Sequence, residues 1–203
     1  AYALRQAVLH RGLKPHNVLL SEEGQPLLTD FGLAKDTGAS QGLTKTGQVM
    51  GTPAYMPPEQ AEGLRDQIDR RSDVYGLGAT LYEALTGQPP FSGASVVNIL
   101  SAVLTKEPVA PRQLVSSIPP DLETIVLTCL EKEPQARYAS AQALADELGR
   151  FLADEPILAR PPGAFDRVRK WTRRHRTLSA VATMALTLTA GLGVISLVWN
   201  SRA

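Results

Sequence analysis

Val18–Leu20 and Leu27–Thr29 are short apolar runs, separated by Ser21-Glu22-Glu23-Gly24-Gln25-Pro26. Two such runs around an acidic, Gly-containing turn predict a β-hairpin. From about Leu33 to Pro58 the chain shows no sustained period, only scattered Gly, Thr, Ser and Pro, and a loop of that length inside a domain is usually functional or disordered. Beyond it the pattern turns helical. Arg71–Thr86 carries Val74, Leu77, Leu81 and Leu85 at spacings of three or four, and Gly87 with Pro89-Pro90 ends the run. Leu122, Ile125, Val126 and Leu130 form a second stripe behind Pro119-Pro120-Asp121. Ser140 can cap a third, with Ala141, Leu144, Leu148 and Leu152 on one face. There is no internal repeat. A hairpin, a long loop and then helices predict an α+β fold that is mainly α.

The last apolar stretch is different in kind. Thr177–Ser201 is an uncharged run of 25 residues rich in Ala, Leu, Val and Thr, longer than the roughly 20 residues a helix needs to cross a bilayer core. A buried core helix would be shorter and would keep a polar stripe, so a single transmembrane helix is expected over 177–199. Trp171 and Trp199 sit near its ends, where amphipathic rings favour the interface. Its Thr and Ser hydroxyls can bond back to their own helix carbonyls. Arg160, Arg167, Arg169, Lys170, Arg173, Arg174 and Arg176 precede the run, and only Arg202 follows it. The positive-inside rule then keeps the N-terminal side cytoplasmic. The same cations can set topology alone or also meet anionic headgroups. Gly191 and Gly193 are a weak candidate for a helix-pairing face, and hence a homodimer, because they do not make a clean small-xxx-small pair.

Charge sharpens this division. Residues 1–159 hold 13 Lys/Arg against 19 Asp/Glu, whereas 160–176 hold seven basic side chains and one acid. A mildly acidic globular part with a basic stem argues against a nucleic-acid partner and for a local electrostatic role in the stem. With 43% hydrophobic and 20% charged residues, the composition is that of a globular protein. The single cysteine, Cys129, excludes an internal disulfide and falls in an apolar helical pattern, so a packed thiol is expected. The chain starts without Met inside an apparent helix and shows no signal-peptide pattern, so a fragment truncated upstream is expected.

Two constellations carry the chemistry: His10-Arg11-Gly12-Leu13-Lys14-Pro15-His16-Asn17, and Asp30-Phe31-Gly32 after the second strand. Phosphoryl transfer needs oxygen ligands for Mg²⁺, cations on the moving phosphate and a carboxylate to orient the attacking hydroxyl. Asn17 and Asp30 have the chemistry for hard-cation ligation. Lys14 supplies a point charge, and Gly32 gives the backbone freedom where the loop leaves the strand.

These residues resemble the catalytic loop and the D-F-G motif of protein kinases. Gly51-Thr52-Pro53-Ala54-Tyr55-Met56-Pro57-Pro58-Glu59 resembles the end of a kinase activation segment, with Pro57 where the family usually has Ala. Arg71-Ser72-Asp73-Val74-Tyr75-Gly76-Leu77-Gly78 is similar to the start of the long central helix, and Glu133-Pro134-Gln135-Ala136-Arg137-Tyr138 to a late family motif. The resemblance is to bacterial transmembrane serine/threonine kinases of the eukaryotic type. It implies a large lobe over 1–153, a juxtamembrane stem over 154–176, the span at 177–199 and an extracytoplasmic stub at 200–203.

By residue, it implies that Asn17 and Asp30 bind Mg²⁺ and that Lys14 lies against the γ-phosphate of ATP. A Lys at that place points to Ser or Thr of a protein substrate as acceptor. Thr52 would help hold the substrate hydroxyl. Arg11 would receive a phosphate on Thr44 or Thr46. Glu59 and Arg137 would form a structural ion pair, and Asp73 would accept hydrogen bonds from the catalytic-loop backbone. His10 and Phe31 are expected to pack, and His16 to be an ordinary loop residue.

One departure outweighs these matches. Gly12 stands where the family carries the catalytic Asp. Glycine can neither accept a proton nor orient a hydroxyl, and loss of a general base costs about 10²–10⁴-fold. No Gly-rich phosphate loop or small-lobe Lys is present either. This chain by itself is therefore expected not to transfer phosphate. The alternative to a kinase is a pseudokinase that holds nucleotide or a partner without transfer.

Overall fold

The computed structural model describes residues 9–30 and 53–159. Strands β1 (Val18–Leu20) and β2 (Pro26–Leu28) pair antiparallel, with Val18 opposite Leu28 and Leu19 opposite Leu27. The second strand begins one residue earlier than the apolar run suggests, because the turn closes on Ser21. The Gly24 N–H donates to the Ser21 carbonyl, the Ser21 N–H to that of Gln25, and the Ser21 hydroxyl reaches the Glu23 carboxylate. Gly24 takes φ 75°, the left-handed conformation that a glycine adopts without steric cost.

The helices follow from their caps. A 3-10 turn, Pro53–Tyr55, leads into the short α1 (Pro58–Ala61). Asp69 caps α2 (Arg70–Thr86), its carboxylate accepting from the Arg71 N–H at 2.7 Å, and Gly87 ends it at φ 76°. Ser95 caps α3 (Val96–Thr105), and Pro111 opens the short α4 (Pro111–Leu114). Pro120 opens α5 (Pro120–Cys129), and the Ser140 hydroxyl caps α6 (Ala141–Leu152) by accepting from the Ala143 N–H. The described residues are mainly helical, with one small hairpin.

The core is built around α2. Tyr75, Ala79 and Tyr82 pack with Ala54, Tyr55, Val126 and Leu130, while Val74 packs on another side with Ile125, Cys129 and Leu144. The expected stripe does face the core: Val74 is buried, and Leu77, Leu81 and Leu85, half-buried, pack against the two clusters. Tyr75 and Tyr82 are buried as well, because α2 is covered on several sides by α5, α6 and the segment before α1. Gly78 marks the closest approach of α2 to α5, where an added Cβ would lie 2.3 Å from Cys129 Cβ. Cys129 is a fully buried free thiol. In α6, Leu144 is buried but Leu152 is 79% exposed, since the helix ends there and Ile157 takes the place against the core.

Among the described residues, no helix is long and apolar enough to cross a membrane. The uncharged stretch 177–199 and the basic stem from Arg160 onward lie outside the described residues.

Candidate functional site

The first constellation is held on α2 by one carboxylate. Asp73, buried in the first turn of α2, accepts from the His10 N–H through Oδ2 and from the Arg11 N–H through Oδ1, both at 2.9 Å. Arg11 has φ 58°, a left-handed conformation that costs a residue with a side chain roughly 1–2 kcal/mol. The pair of charged hydrogen bonds on that segment offsets such a cost. One turn further along α2, Gly76 lets the loop lie flat on the helix. A Cβ there would meet Leu13 Cβ at 2.8 Å and the Leu13 carbonyl oxygen at 3.1 Å. Leu13 is buried accordingly.

The second constellation is tied to the first through the hairpin. The Thr29 N–H donates to the Asn17 carbonyl at 2.9 Å, so Asp30 leaves β2 beside the end of the loop. His10 Nε2 donates to the Thr29 carbonyl at 2.8 Å. His10 is thus more than a packing residue: its buried imidazole is a strut between the loop and the strand end. Its place next to Arg11 gave no sequence signal for that partner. Asp30 is exposed and takes φ 61°, a second left-handed residue in these two constellations. Strain of this kind persists where the surroundings over-determine the backbone.

The donor set suits a hard cation. Asn17 is buried and donates through Nδ2 to the Gly12 carbonyl at 2.8 Å, which leaves its Oδ1 outside that bond. Together with the exposed Asp30 carboxylate this makes an all-oxygen pair, as Mg²⁺ requires. Among the described residues, no three His, Cys, Asp or Glu side chains gather into a metal-ion cage. An oxygen pair of this kind has the chemistry of a hard-cation site that waters and phosphate oxygens would complete. Lys14 is half-buried at the start of the 3-10 turn Pro15–Asn17, its carbonyl accepting from the Asn17 N–H at 3.0 Å. His16 is an exposed loop residue.

Gly12 itself is exposed and does not adopt a left-handed φ. Among the described residues, a Cβ built on it would meet only His10 Nδ1, at 3.9 Å, an ordinary contact. Neither the backbone nor these neighbours require glycine there.

At the start of α2, Glu59 and Arg137 come together from 78 residues apart. Arg137 Nη1 and Nη2 donate to Glu59 Oε1 and Oε2, each at 2.8 Å, and the Ser72 hydroxyl donates to Oε1 at 2.6 Å. The guanidinium also donates to the carbonyls of Glu131, Lys132 and Arg71 and lies 4.9 Å from the Tyr75 ring centre. Burial acts to push the Glu59 carboxyl up. The hydrogen bonds and charge of Arg137, with the Ser72 hydroxyl, more than reverse this and hold it below the usual carboxylate range. Towards the other end of α2, Tyr55 donates its hydroxyl to Glu83, a link between the segment before α1 and α2 that the sequence pattern did not suggest. Thr52, Thr44, Thr46, Phe31 and Gly32 lie outside the described residues.

The protein kinase domain family matches residues 1–148 of the chain. The chain belongs to the protein kinase family. Its relatives include the serine/threonine-protein kinase PknB of Mycobacterium leprae, 39% identical over 155 residues, covering 76% of this chain and 25% of that protein. A probable serine/threonine-protein kinase of Streptomyces coelicolor, SCO3848, is 41% identical over 157 residues, 77% of this chain and 23% of the relative. The tyrosine-protein kinase MasK of Myxococcus xanthus is 40% identical over 188 residues, 92% of this chain and 28% of its own length. The chain spans about a quarter of the length of these relatives. Its kinship is thus with bacterial kinases of the eukaryotic type, serine/threonine kinases among them.

Proposed function

We propose that this chain is the large lobe of a membrane-anchored serine/threonine kinase that keeps its Mg-ATP-holding side and has lost its general base. The observation that carries the reading is the loop from His10 to Asn17. It is fixed at both ends, by Asp73 and by the Asn17–Thr29 pairing, yet carries glycine at its middle. In the complete site Asn17 and Asp30 would hold Mg²⁺, which supplies charge neutralisation at the phosphates. Lys14 would steady the transferred group and Thr52 the acceptor hydroxyl. Arg11 would pair with a phosphate on Thr44 or Thr46, ordering that segment. No residue at position 12 would take the acceptor's proton, so nucleotide is held but transfer is slow.

The test joins the lobe to the amino-terminal portion of a related kinase domain and assays a generic protein substrate with Mg-ATP. Gly12→Asp is expected to raise transfer by about 10²–10⁴-fold, because the added side chain has room and a permitted backbone. Asp30→Ala sets the background. Transfer by the Gly12 form well above that background would overturn the loss of the base. Phosphoamino-acid analysis of the product settles the acceptor: Lys14 favours Ser and Thr, whereas phosphotyrosine would align the chain with the activity in MasK's name.

The membrane part of the reading rests on the uncharged run at 177–199 and the seven cations before it. Resistance to alkaline extraction, with the lobe accessible to protease only from the cytoplasmic side, is the expected result. Release into the alkaline supernatant would refute the anchor. A pseudokinase scaffold is the second reading, favoured by Gly12 alone; Mg-ATP binding with no transfer even in Gly12→Asp would select it.

A further inference from the structure

The chain leaves the lobe by a route that the kinase chemistry does not require. After α6 ends, Asp154 adopts φ 55°. The Glu155 N–H returns to the Arg150 carbonyl at 2.9 Å, and the Asp154 N–H to that of Phe151 at 3.2 Å. These two bonds make a Schellman closure, with aspartate in the left-handed place that glycine usually fills. Pro156 cannot continue the helix, and its carbonyl accepts from Arg150 Nε at 2.9 Å. The next residue, Ile157, packs against the cluster of Val74, Ile125, Cys129 and Leu144. Two residues on, the Ala159 N–H donates to Glu147 Oε1 at 2.6 Å. Glu147 is 2% exposed and lies on α6 itself.

Five contacts therefore fold residues 154–159 back along the helix they have just left. A plain linker would need none of them, and Asp154 would not take a conformation that disfavours residues with a side chain. We propose that Asp154–Ala159 is a clasp that fixes the point at which the chain leaves the lobe, with the Glu147 carboxylate as its latch. Whatever follows Ala159 then starts from a defined place on α6. The inference stands whether or not the run at 177–199 crosses a membrane.

Amide hydrogen exchange at Ala159 and spin-label distances between Asp146→Cys and Leu158→Cys test it; both positions are exposed. Burial pushes the Cys129 thiol up, so labelling is directed to the introduced sites. The expected result is a narrow distance distribution and a protected Ala159 amide. Glu147→Ala should speed exchange at Ala159 by about 10–100-fold, the range of a hydrogen bond to a charged group. Amides in the middle of α2 should be unchanged, and Glu147→Gln, which keeps an acceptor oxygen, should restore most of the protection. A broad distribution or an unprotected Ala159 in the chain with native Glu147 would overturn the proposal even if Glu147→Ala fails to fold. An exchange rate at Ala159 indifferent to Glu147→Ala would overturn it as well.

Discussion

Replacing Glu59 with Gln tests whether the ion pair with Arg137 is as buried as its geometry implies. Side-chain exposures of 0% for Arg137 and 2% for Glu59 exclude solvent screening. The change keeps volume but removes the charge. It also turns one of two accepting oxygens into a donor that faces a guanidinium N–H. What remains is a buried cation with carbonyl partners and no counter-charge, a situation that costs about 3–5 kcal/mol. For a domain of this size each kcal/mol moves Tm by roughly 2–4 °C, so a fall of roughly 10–15 °C is expected by circular dichroism. The double variant Glu59→Gln with Arg137→Met removes both charges. It should be markedly milder than the sum of the two singles, because the unpaired charge is what is costly. A loss below about 1 kcal/mol for Glu59→Gln would place the pair with surface salt bridges and refute the burial argument. The pH dependence follows the same logic. Glu59's carboxyl is lowered in the fold, so its contribution is present above the unfolded value of about 4.3 and lost as pH falls through the lower folded value. The wild type should lose stability below about pH 4 more steeply than Glu59→Gln.

Two glycines in helices should respond with opposite sign. Gly76→Ala forces a Cβ against Leu13 and should destabilise by about 1–3 kcal/mol in denaturant titration, with amide shifts along residues 10–17. Gly149→Ala in α6 meets nothing within 4 Å and should stabilise by about 0.5–1 kcal/mol; a loss there would show that α6 packs differently. Asp73→Asn leaves one oxygen for two N–H donors, so a cost of about 1–3 kcal/mol is expected, with faster hydrogen exchange at His10 or Arg11. Unchanged exchange at both would mean that the loop is held by something other than Asp73.

The hairpin, the long central helix and the Ser140 cap were legible because each is written in a local stretch of sequence: an acidic turn, a stop at Gly87, a hydroxyl one residue before α6. Helix α3 was not singled out. Its run Val96–Thr105 is nearly continuous in apolar residues, a pattern that periodicity alone does not assign to helix or strand. The leucine stripe of α2 marks only part of its buried surface, since a helix surrounded by neighbours buries Tyr75 and Tyr82 as well. Contacts between distant segments left no trace in the pattern: His10 with Thr29, Tyr55 with Glu83 and Ala159 with Glu147 each join segments through one polar atom, and nothing local forecasts the partner.

Gly12 shows what each level supplies. The sequence identifies a residue that cannot act as a base, but a glycine can be present because the backbone needs it. The described residues argue against that explanation: Gly12 has no left-handed φ, and the nearest of their atoms to a built Cβ is 3.9 Å away. The contacts that hold the loop run through backbone amides, the Asn17 side chain and His10. None of them depends on a side chain at position 12. On the proposed reading, a missing carboxylate would leave the frame for Mg²⁺ and phosphate standing, and binding and transfer would be separable properties of the same loop. If Gly12→Asp restores transfer without changing the affinity for Mg-ATP, that separation is real; a parallel change in both would mean that the loop's frame had depended on the missing side chain.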